Sequence, residues 1–319
     1  MQRFDDLDDV DAVGDVLTEL RFDDRVVVVT GAGRGIGRSH ALLLAAKGAC
    51  VVVADYGVGI GGGGASPAPA EDVVVEINDR GGRAVACHAS VAEERGAQRI
   101  IDTAIDTFGR LDAVINNAGI HDPGAFDALS IEQHRAMLDV HYFGTLFVSR
   151  AAWPHFIRAG YGRIVNTVSE AMLGGIPELT SYGAAKGAVF GLTRNLATEA
   201  LAHGIRVNAV APRAFTRMSA SHSERLSAVL DMPKEVMEEI NASMPPEMCA
   251  PAAAFLAHES CPLNGEILQA GMGSVARIAV VHTQGLTKSP LTAEDIAYNL
   301  DAIMDLADAR VSETTTVVQ

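Results

Sequence analysis

Tyr182 and Lys186 stand four residues apart in S-Y-G-A-A-K, and Ser169 lies thirteen residues before the tyrosine. Each supplies something that interconversion of an alcohol and a carbonyl requires. A phenol can pass a proton, an ammonium one helical turn away can favour the ionised phenol, and a hydroxyl can hold the reacting oxygen. Positions i and i+4 share a helix face, so tyrosine and lysine can point into one site. Alone, Y-x-x-x-K also arises by chance in ordinary helices, and its weight comes from what stands upstream.

Thr30 opens T-G-A-G-R-G-I-G, with glycines at 31, 33, 35 and 37 around Arg34 and Ile36. The β-branched run Val26–Val29 precedes it, and apolar residues at helical spacing (Ile36, Leu42, Leu43, Ala46) follow. A strand, a glycine turn and a helix in that order let backbone approach a diphosphate and offer it the free N–H groups of the helix N-terminus. Asp55 ends the next β-rich run, V-V-V-A-D. A carboxylate there can bind both ribose hydroxyls of a dinucleotide and would repel a 2′-phosphate, which favours NAD over NADP. Arg34 pulls the other way, because a guanidinium in the glycine turn can bind a 2′-phosphate. Asp55 carries more weight, since that phosphate would be desolvated beside a like charge.

The elements that must position these residues alternate along the chain. Further strands are expected at Ala84–Cys87, Ala113–Ile115, Arg163–Val168, Arg206–Val210 and Glu266–Gln269, with helices around 71–80, 92–108, 131–159, 182–203 and 250–257. Ser130 and Gln133 form a capping box for the long helix. Continuous apolar runs suit strands buried on both faces, so the expected fold is α/β, a Rossmann-type doubly wound parallel sheet in a single domain with a C-terminal helical extension. The reading divides the chain into an acidic N-terminal extension (1–19), a catalytic domain (20–277) and a C-terminal extension (278–319) with one helix from Thr292 through Ala309. Two segments interrupt the alternation. Gly57–Ala70 holds six glycines, two prolines and no charge and reads as a flexible loop. The stretch 218–246 reads as an insertion whose helices lie over the site.

Composition limits the partners. The formal net charge of −15 argues against nucleic acid or an anionic membrane. Aromatics at 5% leave a core of Ala, Val, Ile and Leu. The four cysteines (Cys50, Cys87, Cys249, Cys261) show no C-x-x-C or paired Cys/His ligand spacing, so reduced buried thiols and no metal are expected. No basic-then-apolar leader or membrane-length apolar run is visible, and the expected location is cytoplasmic.

The glycine spacing T-G-x-x-x-G-x-G, together with Asn116-Asn117-Ala118-Gly119 and the Ser169/Tyr182/Lys186 trio, resembles the short-chain dehydrogenase/reductase family. The resemblance implies an NAD-dependent oxidoreductase acting on a secondary alcohol or ketone, a homodimer or homotetramer, and the trio as catalytic residues. It assigns cofactor contacts to Gly31, Gly33, Arg34, Gly35, Ile36, Gly37, Asp55, Asn117, Ala118, Gly119, Tyr182 and Lys186, and to Pro212 and Thr216 after the sixth strand. The acid that usually meets adenine is replaced by Ala89, leaving Ser90 or backbone to serve. The family's helical D-V-N-x-x-G reads Asp139-Val140-His141-Tyr142-Phe143-Gly144, so His141 stands in for a relay asparagine. It can prop the helix through a water, or titrate as a relay member. V-H-x-x-G, the glycine-rich loop, A-P-R-A-F-T-R-M and H-E-S-C-P-L-N-G-E resemble the (3R)-hydroxyacyl-CoA dehydrogenase unit of peroxisomal multifunctional enzymes of type 2. That implies a 3-hydroxyacyl-CoA substrate; a hydroxysteroid or other lipid alcohol, or a non-catalytic dinucleotide-binding regulator, are the alternatives. Met172, Leu173, Ile176, Met218 and Met232 could line an apolar pocket, and Arg213 and Arg217 could form a basic patch for CoA.

Overall fold

Valine builds the centre of the molecule. In a computed structural model, which describes residues 19–220, 223, 227 and 231–313, strand β1 (Val26–Thr30) is buried at every position. Its side chains alternate between two apolar layers: Val27 and Val29 join one, Val26 and Val28 the other. β2 (Cys50–Ala54), β3 (Arg83–Cys87), β4 (Ala113–Asn116), β5 (Gly162–Thr167), β6 (Ile205–Pro212) and β7 (Ile267–Gly271) pair in parallel in the order β3-β2-β1-β4-β5-β6-β7. Helices α1 (Gly35–Ala46), α2 (Ala68–Asp79) and α8 (Ala250–Ala257) cover one layer. α3 (Glu94–Phe108), α5 (Gly144–Ala159) and α6 (Thr180–Ala200) cover the other. The chain steps outward from β1 in both directions, so the crevice between the ends of β1 and β4 is the switch point at which such sheets take ligands.

The expected alternation, the single doubly wound domain and the Ser130/Gln133 capping box are all present. Several expectations need correction. β8 (Ser274–Ile278) adds an antiparallel eighth strand to the edge of the sheet; four of its five residues are exposed. The helix expected over 131–159 is present without a break, as α4 (Ile131–Leu138), a π-helical turn (Asp139–Phe143) and α5. The tail helix is split into α9 (Ala293–Tyr298) and α10 (Leu300–Met304), because Asn299 leaves the helical region at φ −108°, ψ 21°. The expected Thr292 cap is present, reciprocated by Asp295. A two-stranded ribbon of β9 (Val281–His282) and β10 (Arg310–Val311) accompanies these helices. Residues 1–18, and hence nearly all of the acidic extension, lie outside the described residues, as does part of the 218–246 stretch; the latter contains α7 (Lys234–Ala242).

All four cysteines are buried and unpaired. No described helix is long and apolar enough to cross a membrane.

Candidate active site

The glycine turn owes its shape to β4. Asn117 donates from Nδ2 to the carbonyls of Thr30 (3.0 Å) and Gly31 (3.1 Å), and the backbone N–H groups of Asn117 and Ala118 donate to Thr30 Oγ1 (3.0 and 3.1 Å). Gly31 has φ +63° and a Cβ there would lie 2.7 Å from Ala118 Cα. A Cβ on Gly37 would collide with the Gly31 carbonyl. Glycine is therefore required for both conformation and close approach. Deeper in the core, Asn116 Nδ2 donates to Ser149 Oγ (3.1 Å) and Asn166 Oδ1 (3.0 Å), and Asn166 Nδ2 to Thr193 Oγ1 (2.9 Å).

Above this turn opens a cleft of about 500 Å³. Every residue singled out from the sequence as catalytic or cofactor-binding lines it, except Gly33 and Ser169. Gly33 lies behind Asp55, whose Oδ2 accepts from the Gly33 N–H and whose Oδ1 accepts from the Gly57 N–H, both at 2.7 Å. Ser90 Oγ accepts from the Ala92 N–H at 3.3 Å, which fixes the turn after β3. Thr216 Oγ1 accepts from the Met218 N–H at 3.2 Å. A Cβ on Gly35 would sit 3.4 Å from Thr216 Cγ2, so the segment after β6 faces the glycine turn across the cleft.

Tyr182 is the third residue of α6, within the first turn, where the N–H groups and macrodipole favour an anion. Its ring lies edge-on between two imidazoles, His121 (centroids 5.3 Å, 89°) and His141 (5.2 Å, 86°). Ser169 precedes a short 3-10 turn, accepts from the Ala171 N–H at 3.2 Å, and hydrogen-bonds the Tyr182 hydroxyl. Lys186, only 4% exposed, donates to the Thr167 carbonyl at 2.7 Å and lies 5.6 Å from the Tyr182 ring centre. Burial lowers the lysine to about 7. Burial also raises the Tyr182 phenol above its usual value, and the Ser169 hydrogen bond opposes that only in part. In the chain alone, the desolvation of Tyr182 outweighs what the protein's own groups return.

His141, at 2% exposure, sits in the π turn, with Nε2 2.8 Å from the Ile120 carbonyl and its ring against Gly119. Burial holds it well below the ordinary histidine range, helped by the nearby Lys186. The imidazole is therefore neutral near pH 7, with Nε2 facing both the Ile120 carbonyl (2.8 Å) and the Ile120 N–H (3.3 Å).

Two features of the cleft fit a dinucleotide. The N-terminus of α1 has no side-chain cap and no acid in its first turn, so its N–H groups remain for an anion. Thr167 Oγ1 and His141 Nδ1 are buried in the cleft wall without a hydrogen-bond partner among the described residues.

Other expectations are redistributed. Arg213 is held by Glu170 in a bidentate pair (2.9 and 2.7 Å) and is no free cation for CoA. Arg217 lines the cleft, donating to the Val58 carbonyl at 3.0 Å. Met172 packs into the core, Leu173 is exposed, and Met218 lines the cleft. Sequence reasoning missed His121, which carries no motif, and Thr167. Alternation along a strand was the available signal for Thr167: two residues before Ser169, it shares that side chain's face.

Comparison with known proteins gives the chain's relatives. The profile of the family described as short chain dehydrogenase matches residues 25–226. A short-chain type dehydrogenase/reductase of Mycobacterium tuberculosis is 44% identical over 91% of this chain and 97% of its own length. Mouse peroxisomal multifunctional enzyme type 2 is 38% identical over 92% of this chain but only 38% of its own length, so this chain spans little more than a third of that relative. Among solved structures, 7α-hydroxysteroid dehydrogenase complexed with NADH and 7-oxo glycochenodeoxycholic acid superposes with a TM-score of 0.68, at 30% identity over 80% of this chain and 95% of that one.

Proposed function

The chain belongs to the short-chain dehydrogenase family, and from that premise we propose that it oxidises a secondary alcohol to a ketone with NAD, the alcohol being a 3-hydroxyacyl-CoA. The observation that carries the chemistry is the placement of Tyr182 and Lys186 together in the cleft wall, with Ser169 hydrogen-bonded to the Tyr182 hydroxyl from behind it. The substrate class is supported by the subgroup motifs and by likeness to the multifunctional enzyme across 92% of the chain. NAD is supported by Asp55, whose carboxylate is fixed beside the glycine turn by two backbone N–H groups.

In this reading Ser169 holds the substrate oxygen and Tyr182 Oη takes the hydroxyl proton. The Thr167 carbonyl fixes the Lys186 ammonium beneath the tyrosine, and His141 braces the wall through Ile120. A bound oxidised nicotinamide would supply the acceptor for the hydride of the carbinol carbon, and its positive charge would favour the phenolate. A hydroxysteroid substrate is the second reading, favoured by the similarity to a steroid dehydrogenase. Formation of NADH from NAD with a panel of 3-hydroxyacyl-CoAs, free steroids and simple alcohols separates the two. Turnover of acyl-CoAs is expected; turnover of free steroids with none of acyl-CoAs sinks the leading substrate.

A further inference from the structure

Two guanidinium groups converge on one neutral oxygen at the mouth of the cleft. Arg217 Nη2 donates to the Val58 carbonyl at 3.0 Å, and Arg34 Nη1 reaches the same oxygen at 3.4 Å. They come from opposite walls: Arg34 from the glycine turn, Arg217 from the helical turn 217–220 after β6. Among the described residues, neither has a carboxylate within 4 Å. Asp55 is the nearby acid and attracts Arg217, but it forms no ion pair with either arginine; its oxygens accept from the Gly33 and Gly57 N–H groups. Partial burial and the neighbouring Arg34 both disfavour the charge on Arg217, against a smaller contrary pull from Asp55. In a chain with a net charge of −15, this is a local pair of cations with no ion-pair partner within 4 Å among the described residues. A carbonyl dipole does not offset two like cations, whereas an anion of two charges would.

The position of that anion follows from the neighbours. Thr216, the residue before Arg217, faces Gly35 at the N-terminus of α1. An anion on the uncapped α1 amides is therefore within reach of the side chain that follows. The tie to Val58 links the segment after β6 to the glycine-rich loop 57–66, which is also held by the His121 N–H to the Ile60 carbonyl at 2.9 Å.

We propose that Arg217 is a clasp for the diphosphate of the bound dinucleotide, closing over it from the wall opposite the glycine turn. The inference rests on the dinucleotide reading of the cleft given above. It assigns to Arg217 an affinity and residence-time role that is independent of the 2′ position of the adenosine ribose.

The full chain and its Arg217→Ala and Arg217→Lys variants are titrated with NADH, NADPH, ADP-ribose and adenosine by cofactor fluorescence and calorimetry, and NADH release is followed by stopped flow. Arg217→Ala is expected to weaken NADH, NADPH and ADP-ribose by a similar factor of about ten or more, to leave adenosine unchanged, and to speed NADH release. Arg217→Lys recovers part of the affinity. The clasp is refuted if Arg217→Ala binds NADH and ADP-ribose as wild type does, if only NADPH is weakened, or if adenosine is weakened equally. Wild type that binds neither NADH nor NADPH removes the dinucleotide reading itself, a result distinct from a wild type that binds and a variant that binds equally well.

Discussion

The Lys186 ammonium lies over the face of Tyr182, 5.6 Å from the ring centre, while donating to the Thr167 carbonyl at 2.7 Å. The lysine is thus anchored by backbone, and its own pKa is lowered to about 7 while that of the phenol is raised. Ionisation of the free enzyme's tyrosine is expected above about pH 10, the ordinary phenol value, and is expected to move down when NAD is added. Ultraviolet difference titration of wild type against Tyr182→Phe reads this directly. A midpoint near neutrality without cofactor contradicts the burial argument.

Tyr182→Phe keeps the ring between the two imidazoles and removes only the proton carrier. Steady-state turnover should fall by roughly 10²–10⁴-fold, with NADH affinity close to wild type. Full activity in this variant rules out the proposed mechanism.

His141 is neutral across the working range because burial and Lys186 both disfavour its charge. Wild type and His141→Asn should therefore show the same number of ionisations in their pH–rate profiles, though with different rates. Loss of an ionisation in the variant would revive the titrating-relay reading.

His40, on α1, has 1% exposure and neither ring nitrogen bonded among the described residues; burial lowers it to about 4. In the unfolded chain the ordinary value is about 6.5. The unfolded state therefore binds the extra proton between those values, and stability falls as pH drops from about 6.5 to about 4, by an amount on the order of 3 kcal/mol. His40→Leu should flatten that acid limb in urea unfolding at pH 4.5 to 7. An unchanged limb would locate the acid sensitivity in other groups.

The strands, the glycine turn and the position of the trio were legible because each depends on local pattern: valine runs, glycine spacing, a shared helix face. What escaped depends on distant partners. Nothing near Arg213 announces that Glu170, forty-three positions earlier, will neutralise it. β8 is formed mostly of exposed residues and depends on pairing with the edge of β7. The raised phenol also follows from how much protein surrounds Tyr182, a quantity that no spacing encodes.

The π turn at Asp139–Phe143 has a consequence for how this helix can change. A π turn accommodates about one residue more than an α turn, and one residue is about 100° of helical rotation. Upstream of it the helix directs Met137 into the apolar cluster beside Tyr182. Downstream it directs Val148, Ala152 and Phe156 into the layer under the sheet. The turn therefore acts as a phase shifter between the two faces. Deleting one residue here would rotate one face out of its packing against the other, whereas the exposed glycines at 61, 63 and 64, with nothing within 4 Å of a Cβ added there, have no such phase to keep.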